Sequence, residues 1–235
     1  MKEWCQLTSD EIAALDRRLP VILPLGLVEA HGPHLATSVD MDTAAYFARR
    51  TAEQTGAILL PVMPYGFADE MAGYAGTLGV RPETMAAVVA DLSRLLCSHG
   101  FKRQIFLSGH GANKLPVELA LYRIWETYSD LRAVYWNYWT ETGFTQISHA
   151  DQGETEIALA VGTTAHMDRV TDFKVEKPWY RLRSRAAICP GTGGINGTPS
   201  KADPKEGQRV RDEIVRLLTQ KVQAIKDAEQ AEEPR

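Results

Sequence analysis

The sequence predicts an α/β fold, a three-layer αβα sandwich in which helices cover both faces of a mainly parallel sheet. Three observations indicate this class. Apolar runs typical of buried strands alternate with helical patterns along the chain, and no internal repeat interrupts them. Polar clusters follow the first and third of these runs, where α/β sheets bind their ligands. We expect one domain over residues 1–235, with residues 229–235 as a frayed tail.

The composition is that of an ordinary globular protein. Its 44% hydrophobic residues are enough for a core, and no apolar run is long enough to cross a membrane. The net charge of −4 gives no electrostatic reason to expect nucleic acid as a partner. The three cysteines stand far apart without C-x-x-C spacing, which is typical of a reducing compartment. We therefore expect a cytoplasmic protein with neither nucleic-acid nor membrane partners.

The first part of the chain predicts two helices and two strands. Residues 8–18 read as a short helix with a capping Thr-Ser-Asp start. The apolar run 21–27 predicts a strand that is buried on both faces. A helix follows at 42–55, and a second buried strand at 57–62. Residues 64–79 form a glycine-rich, partly aromatic loop.

The later elements continue the alternation. Apolar residues near helical spacing predict an amphipathic helix over 82–99, ended by Gly100. Five further elements follow in order: strand 104–108, helix 114–128, strand 132–139, a helix from the 149–156 segment to about residue 161, and helix 205–228. The region 178–204 is rich in loops, so the last helix stands after a long irregular segment.

Residues that bind metals follow two of the predicted strands. Glu29, His31 and Asp40 come after the first strand, and His110 comes after the third. If the strand continued through Glu29 and His31, both side chains would lie on one face. Carboxylate and imidazole ligands together suit zinc, manganese or iron, and the two oxygens of Asp40 could bridge two ions. The alternative is that Glu29 and His31 only pair with each other and cap the next helix.

A third polar cluster spans residues 149–156. Glu154 could be a metal ligand or a base, and His149 a proton shuttle or the partner of an oxyanion. The alternative is an ordinary junction between a loop and a helix, where the helix dipole favours acidic residues. That alternative leaves His149 without a role. His34, three residues past His31, fits a structural or supporting role.

Two other patterns carry less weight. Ser108 lacks the G-x-S-x-G elbow of a serine nucleophile, and the glycines at 109 and 111 lack the Gly-Lys-Ser/Thr of a phosphate loop. The aromatic residues within 135–139 predict either a pocket lining or a core and interface cluster.

Four segments, taken together, resemble one protein family. Residues 29–35 with Asp40 read E-A-H-G-P-H-L…D, residues 108–113 read S-G-H-G-A-N, residues 149–155 read H-A-D-Q-G-E-T, and residues 194–199 read G-I-N-G-T-P. They resemble the E-x-H-G-P-H-L…D, N-G-H-G-x-N, H-A-G-x-x-E-T and late glycine-rich segments of the creatininase (creatinine amidohydrolase) family. The resemblance implies a three-layer α/β fold, a two-metal centre, hydrolysis of a C–N bond in a small molecule, often a cyclic amide, and a homo-oligomer, commonly a hexamer.

The resemblance also implies roles for individual residues. Glu29, Asp40 and His110 would hold one ion. His31 and Asp40 would hold the other, with Asp40 as the bridge. A metal-bound water of lowered pKa would attack the substrate carbonyl, and His149 would assist proton transfer to the leaving group.

Two departures separate this chain from creatininase itself. There, a Tyr-Glu pair follows the strand-end histidine and its Glu completes the second metal site, whereas these positions here are Gly111 and Ala112. Glu154 is our candidate for the missing carboxylate, from its position in the His149 cluster. The family's G-x-S-x-E/H-H loop is replaced by residues 66–71, which read G-F-A-D-E-M. We therefore expect a substrate other than creatinine.

The sequence thus predicts a hydrolase in which two divalent ions per chain (zinc, manganese or iron) activate water to cleave a C–N bond in a small, cyclic amide-type substrate. An alternative reaction is the hydrolytic opening of a keto-inositol-type cyclic ketone, which breaks a C–C bond. A further alternative, of another class, is a non-catalytic metal-binding subunit that has kept the fold.

Overall fold

The computed structural model describes residues 1–68, 70–144, 147–173 and 194–231. The strands are β1 Lys2–Glu3, β2 Val21–Leu25, β3 Ile58–Leu59, β4 Arg103–Ser108 and β5 Arg132–Asn137. They form one sheet in the order β1-β3-β2-β4-β5, and every pairing between them is parallel. The helices are α1 Ser9–Ala13, α2 Val39–Thr55, α3 Pro82–Ser98, α4 Lys114–Trp125, α5 Tyr138–Glu141, α6 Gln152–Val161 and α7 Pro204–Ala231.

Helices cover both faces of the sheet, because successive side chains of the central strands point to opposite sides. On one face, Ile22, Ile105 and Leu107 pack in one apolar cluster with Phe47 of α2 and Leu218 of α7. On the other face, Leu23, Leu25 and Phe106 pack in a second cluster with residues of α3 and α4, among them Met85, Val89, Val117 and Leu121. The predicted three-layer αβα sandwich is confirmed.

The register of the sheet brings the ends of the central strands to one level. Leu25 at the end of β2 is the neighbour of Ser108 at the end of β4, and Ser108 is in turn the neighbour of Asn137 at the end of β5. The chain segments that follow β2 and β4 therefore leave the sheet side by side. Glu29 and His110 stand on these segments.

Several boundaries differ from the prediction for identifiable reasons. Strand β3 covers only Ile58–Leu59, since Pro61 has no N–H to offer the ladder. Strand β5 ends at Asn137, whose side chain accepts the N–H groups of Trp139 and Thr140 and so starts α5. Helix α2 begins at Val39 and not at 42, which places Asp40 in its first turn.

The two ends of the chain also differ from expectation. The edge strand β1 was not predicted, because two residues are too short to show a period. The predicted helix 8–18 is shortened to α1, with Thr8 and Glu11 in a capping box. Helix α7 runs past its predicted end at 228 to Ala231, and most of the predicted loop 178–204 lies outside the described residues. In the described part of the chain, no helix has both the length and the apolar character that a membrane span requires.

Candidate metal centre

The first turn of α2 and the end of β4 meet in direct backbone contact. Asp40 is buried in that turn, and Gly109 follows the last residue of β4. A Cβ atom on Gly109 would lie 2.1 Å from the backbone oxygen of Asp40, so any larger residue would separate the two segments. Glycine at position 109 therefore allows Asp40 and the neighbouring His110 to share one site.

Asp40 presents its two carboxylate oxygens to two different histidines. Its Oδ1 lies 3.5 Å from Nε2 of His31, and its Oδ2 lies 3.3 Å from Nδ1 of His110. The two imidazoles come from different strand ends, as the sequence predicted. One carboxylate is thus placed between two nitrogen donors, one for each oxygen.

Two further carboxylates complete the cluster. Glu29 lies on the His110 side, with Oε2 3.1 Å from His110 Nδ1 and 3.9 Å from His31 Nε2. Glu154 lies on the His31 side, with Oε2 3.4 Å from His31 Nε2. The described residues therefore hold two groups of potential metal ligands that share Asp40: Glu29, Asp40 and His110, and His31, Asp40 and Glu154.

The reason for expecting Glu29 and His31 to lie together was incorrect, although the two side chains do lie together. Strand β2 ends at Leu25, so no strand carries these residues on one face. Neither side chain caps the next helix, because Ser38 is the residue before α2 and no side chain caps it by hydrogen bonding. Their convergence comes from the loop between β2 and α2.

The donor atoms of the cluster fit a divalent transition metal. Both oxygens of Glu29, Nε2 of His31 and Oδ2 of Asp40 are buried and make no hydrogen bond of normal geometry with any described residue. Each buried polar atom left without a bond costs about 1–3 kcal/mol, so a fold retains such a cluster when a cation satisfies it. Mixed nitrogen and oxygen donors are those that zinc, manganese and iron accept.

Hydrogen bonding orients the His31 ring for such a role. Its Nδ1 lies 3.1 Å from the carbonyl oxygen of Glu29. An Nδ1–H that donates to this carbonyl leaves Nε2 as the lone-pair nitrogen, facing Asp40 and Glu154. The backbone of one ligand therefore sets the tautomer of another.

The cluster is held together by opposite charges. Burial opposes ionisation of Asp40, but His31 and His110 together lower the pKa of its carboxyl group. The pKa of Glu154 is also lowered, against burial, mainly by His31. The pKa values of His31 and His110 are raised well above their ordinary value, again against burial, by the carboxylates beside them. For Glu29 burial prevails and raises the pKa.

His149 stands at the edge of this cluster. Its Nε2 lies 2.9 Å from the carbonyl oxygen of Ala30, and its Nδ1 lies 3.8 Å from Oε2 of Glu29. Its ring is stacked at a tilt on the ring of His31, with centroids 4.4 Å apart. A quarter of the side chain is exposed, whereas the side chain of His31 is fully buried. His149 is thus the most exposed histidine of the cluster.

The turn after His149 holds Glu154 in place. Ala150 has a φ of +47°, a left-handed conformation that is unusual for a residue with a side chain. In this conformation its N–H donates to Oε2 of Glu154. Asp151 caps α6 by accepting the N–H of Glu154 at 2.9 Å, and it also accepts the N–H of Ser148 at 2.8 Å.

Asn113 connects three chain segments behind the cluster. Its Nδ2 donates to the carbonyl oxygen of Gly26 and to Oγ of Ser108, each at 3.2 Å, and its Oδ1 accepts the N–H of Phe67 at 2.9 Å. Ser108 itself donates to the His110 carbonyl oxygen at 2.7 Å, so its hydroxyl group is structural and not a nucleophile. The sequence did not predict Asn113 as a support or Ala30 as a carbonyl acceptor. The Ala30 acceptor is a backbone oxygen, which carries no sequence signal.

His34 has a supporting position, as predicted. It is fully buried, and its Nε2 lies 3.1 Å from Oγ1 of Thr155, the residue after Glu154. Its carbonyl oxygen accepts the N–H of His166 at 2.7 Å. His34 therefore connects the loop after β2 with α6 and does not join the ligand cluster.

Comparison with known proteins places the chain in a family. A family model described as "Creatininase: Creatinine amidohydrolase" matches residues 5–222. The chain belongs to the creatininase family.

Relatives with three different names have similar sequence identity to this chain. It is 28% identical to the creatinine amidohydrolase of Pseudomonas putida, over 91% of this chain and 90% of that protein. It is 29% identical to the mycofactocin precursor peptide peptidase of Mycolicibacterium smegmatis, over 83% of this chain and 81% of that protein. A 3-dehydro-scyllo-inosose hydrolase of Thermotoga maritima is 26% identical over 60% of this chain and 50% of that protein.

A solved creatininase has the same fold. The structure described as "Creatininase Mn" superimposes with a TM-score of 0.80 at 25% sequence identity, and the match covers 99% of both chains. The sequence assignment to this family, as a member other than creatininase itself, is thereby confirmed.

A cavity of about 200 Å³ opens onto the ligand cluster of this creatininase-family site. It is bounded by Glu29, Asp40, His110, His149 and Glu154 together with Met71, Trp139, Ile147, Ser148 and the small residues Gly109, Gly111 and Ala112. Gly111 lies beside the indole of Trp139 and has no side chain to cover it. A Cβ atom added at Gly111 would lie 3.8 Å from the indole ring, which is an ordinary van der Waals contact.

Some residues of the aromatic segment 135–139 and of the loop 66–71 line the cavity, and others pack in the core. Trp139 lines the cavity, whereas Trp136 and Tyr138 are buried in the core. In the loop 66–71, Met71 lines the cavity but Phe67 packs toward the α3 and α4 side of the core. The predicted substrate-facing loop therefore reaches the cavity through Met71, and Asp69 lies outside the described residues.

Proposed function

We propose that this protein is a hydrolase that binds two divalent metal ions per chain and cleaves a C–N bond in a small, cyclic amide-type substrate. The observation that carries the proposal is the placement of Asp40, whose two oxygens lie 3.5 Å and 3.3 Å from nitrogen donors of two different histidines, His31 and His110. A carboxylate in this arrangement can serve as the bridge of a two-metal site.

The ligand groups assign donors to each ion. Glu29, Asp40 and His110 would hold one ion, and His31, Asp40 and Glu154 the other. Zinc, manganese and iron all suit this donor set. Divalent ions bound here would lower the pKa of water and polarise a carbonyl oxygen.

His149 is placed to move a proton. With its Nε2–H donated to the carbonyl oxygen of Ala30, its Nδ1 carries the lone pair and faces the cavity near Glu29. Nδ1 can accept a proton from the attacking nucleophile and return it to the leaving nitrogen. The bond to Ala30 holds the ring in one orientation during both transfers.

The cavity supports a small substrate. Its volume of about 200 Å³ suits a molecule of a few heavy atoms, and Met71 and Trp139 give it two apolar walls. The Pseudomonas putida relative is named for creatinine, a small cyclic amide-type molecule. The mycobacterial relative named for a precursor peptide makes a peptide the natural competing substrate.

Two alternatives from the sequence remain to be separated. The Thermotoga maritima relative named for an inosose supports a cyclic ketone as substrate, whose ring opening would use the same ligand groups. A non-catalytic metal-binding subunit is disfavoured by His149, because a scaffold needs no partly exposed, oriented histidine beside its ligands. A screen of cyclic amides, formamidopyrimidines, short peptides and keto-inositols with added manganese or zinc would decide among them.

Metal analysis tests the central proposal without requiring the substrate. Protein purified without chelator should contain about two divalent ions per chain, and Asp40→Asn, which keeps the shape but loses the charge, should contain fewer than one. Asp42→Asn is a matched control two residues away, because the Asp42 carboxylate accepts hydrogen bonds from Ser38 and Thr163 and belongs to none of the ligand groups of the described residues. Wild-type protein with fewer than one ion per chain, or an Asp40→Asn variant that keeps two, would contradict the two-metal site.

A further inference from the structure

The side chain of Tyr135 reaches from strand β5 to the backbone of His110. Tyr135 is the neighbour of Phe106 in the parallel register, and Phe106 stands two residues before Ser108, the last residue of β4. The Tyr135 ring packs against the apolar cluster between the sheet and helices α3 and α4. Its hydroxyl group donates a hydrogen bond of 3.1 Å to the carbonyl oxygen of His110. A strand that carries none of the five candidate ligands therefore contacts a ligand residue directly.

The backbone of His110 is hydrogen-bonded on both sides of its Cα atom. Its N–H donates to Oγ of Ser108 at 3.0 Å. Its carbonyl oxygen accepts the hydroxyl groups of Ser108 at 2.7 Å and of Tyr135 at 3.1 Å. The bonds with Ser108 join residues that are two apart in one segment, so they shape that segment but can move with it. The bond from Tyr135 joins the segment to a neighbouring strand and so fixes its position relative to the sheet.

The position of this backbone matters because the His110 ring has two close partners in the ligand cluster. Its Nδ1 lies 3.1 Å from Oε2 of Glu29 and 3.3 Å from Oδ2 of Asp40. A zinc–imidazole bond is about 2.0–2.1 Å long, so a ligand ring tolerates little displacement. His110 is extended, with φ −124° and ψ 129°, and α4 begins at Lys114. The ring is thus placed by a short connecting segment and by the hydrogen bonds that hold it.

We propose that Tyr135 is a positioning residue for the ion that Glu29, Asp40 and His110 would hold. Its hydroxyl group fixes the His110 backbone so that the imidazole keeps its place in this ligand group. Tyr135 is not among the residues that bound the cavity, so it acts through His110 and not on the substrate. The inference rests on the proposed two-metal function.

The test is the metal affinity of Tyr135→Phe. This variant loses the hydroxyl group and keeps the ring that packs on the cluster, so we expect it to fold, as far-UV circular dichroism will show. Chelator-treated protein is titrated with zinc in competition with a chromophoric chelator, which yields a dissociation constant for each ion. The wild type should bind two ions. Tyr135→Phe should bind one of them about 10-fold more weakly, the usual effect of losing a hydrogen bond behind a ligand, and the other as tightly as the wild type.

Tyr128→Phe is the matched control. Tyr128 packs against the same apolar cluster but is not one of the donors to the His110 carbonyl oxygen. We expect both zinc dissociation constants of Tyr128→Phe to equal those of the wild type.

The His110→Ala background separates positioning from a purely structural role. There the backbone carbonyl oxygen remains, but the ring that Tyr135 positions is gone. His110→Ala should bind one ion, and His110→Ala/Tyr135→Phe should bind it with the same dissociation constant. The single variants decide the proposal by themselves if this background does not fold.

The possible results separate this inference from the proposed function. Two wild-type ions with the same two dissociation constants in Tyr135→Phe would overturn the inference and leave the two-metal function in place. An equal weakening in the His110→Ala background, or in Tyr128→Phe, would do the same. A wild type that binds fewer than two ions would overturn the two-metal function, and this inference with it.

Discussion

The Nε2 atom of His149 lies 2.9 Å from the carbonyl oxygen of Ala30, the residue between Glu29 and His31 in the chain. The loop that supplies two potential metal ligands therefore also fixes the orientation of the His149 ring. Any movement of this loop would change the position of His149 at the same time.

His149→Ala should separate turnover from metal binding. We expect kcat to fall by about 10²–10⁴-fold, the usual contribution of a general acid–base group. Metal content should stay unchanged, because both groups of potential ligands that share Asp40 remain; loss of an ion would instead assign His149 to a third group, with Glu29 and His31. Steady-state kinetics on the substrate found by screening, together with elemental analysis, checks both. His99→Ala, at the exposed end of α3, is the control and should leave both values as in the wild type.

Gly109→Ala should destabilise the fold. The added Cβ would lie 2.1 Å from the backbone oxygen of Asp40, so α2 or β4 must shift. Overpacking of this kind costs about 1–3 kcal/mol in the free energy of unfolding. Denaturant titration of the chelator-treated protein measures this loss.

Gly73→Ala serves as the matched control for Gly109→Ala. An added Cβ at Gly73 would meet no atom within 4 Å, so the free energy of unfolding should change by about 0.5 kcal/mol or less. Equal effects of the two substitutions would show that the Gly109–Asp40 contact is not as close as described.

Asp151→Ala should weaken the start of α6. The Asp151 side chain accepts the N–H groups of Glu154 and Ser148, and loss of a helix N-cap costs about 0.5–2 kcal/mol. Thermal unfolding should show a lower midpoint than the wild type. Asp168→Ala removes an exposed carboxylate that caps no α-helix and should leave the midpoint in place. An unchanged midpoint for Asp151→Ala would argue against its capping role.

The metal-free protein should lose stability as pH rises above neutrality. The pKa values of His31 and His110 are raised well above the ordinary value of 6.5, despite burial, by the surrounding carboxylates. A histidine whose pKa is raised by folding stabilises the folded state fully below about pH 6.5. It loses that contribution as pH rises through the raised value.

Metal should reverse this trend, because binding requires neutral histidines and releases their protons. The difference in unfolding midpoint between chelator-treated protein and protein with added manganese should therefore grow from pH 6 toward alkaline pH. Thermal unfolding at a series of pH values measures both curves. A difference that is constant with pH would refute the proton release.

Sequence patterns located the central elements because each has a clear physical signature. The run around Val21–Leu25 is apolar on both faces, and the helix Pro82–Ser98 shows a regular apolar stripe. The patterns failed where the signature is weak. Lys2–Glu3 is too short to show a period, and Ser38, the residue before α2, bonds to the Asp42 side chain and makes no capping hydrogen bond.

At the candidate site, too, the side chains were predicted from the sequence and the backbone groups that support them were not. Glu29, His31, Asp40, His110 and Glu154 were predicted to lie together, and the structure brings them into two groups of potential ligands that share Asp40. The supports were missed for a physical reason. The carbonyl oxygen of Ala30 and the left-handed turn at Ala150 belong to the backbone, and no side chain in the sequence announces them.

The bonds of Asn113 to Gly26, Phe67 and Ser108 have a consequence for how this family can diversify. These hydrogen bonds connect three chain segments behind the candidate ligands. Met71 and Gly111 line the cavity and take no part in these hydrogen bonds. Substitution of Met71 or Gly111 would therefore reshape the wall of the cavity and leave the candidate ligand residues in place.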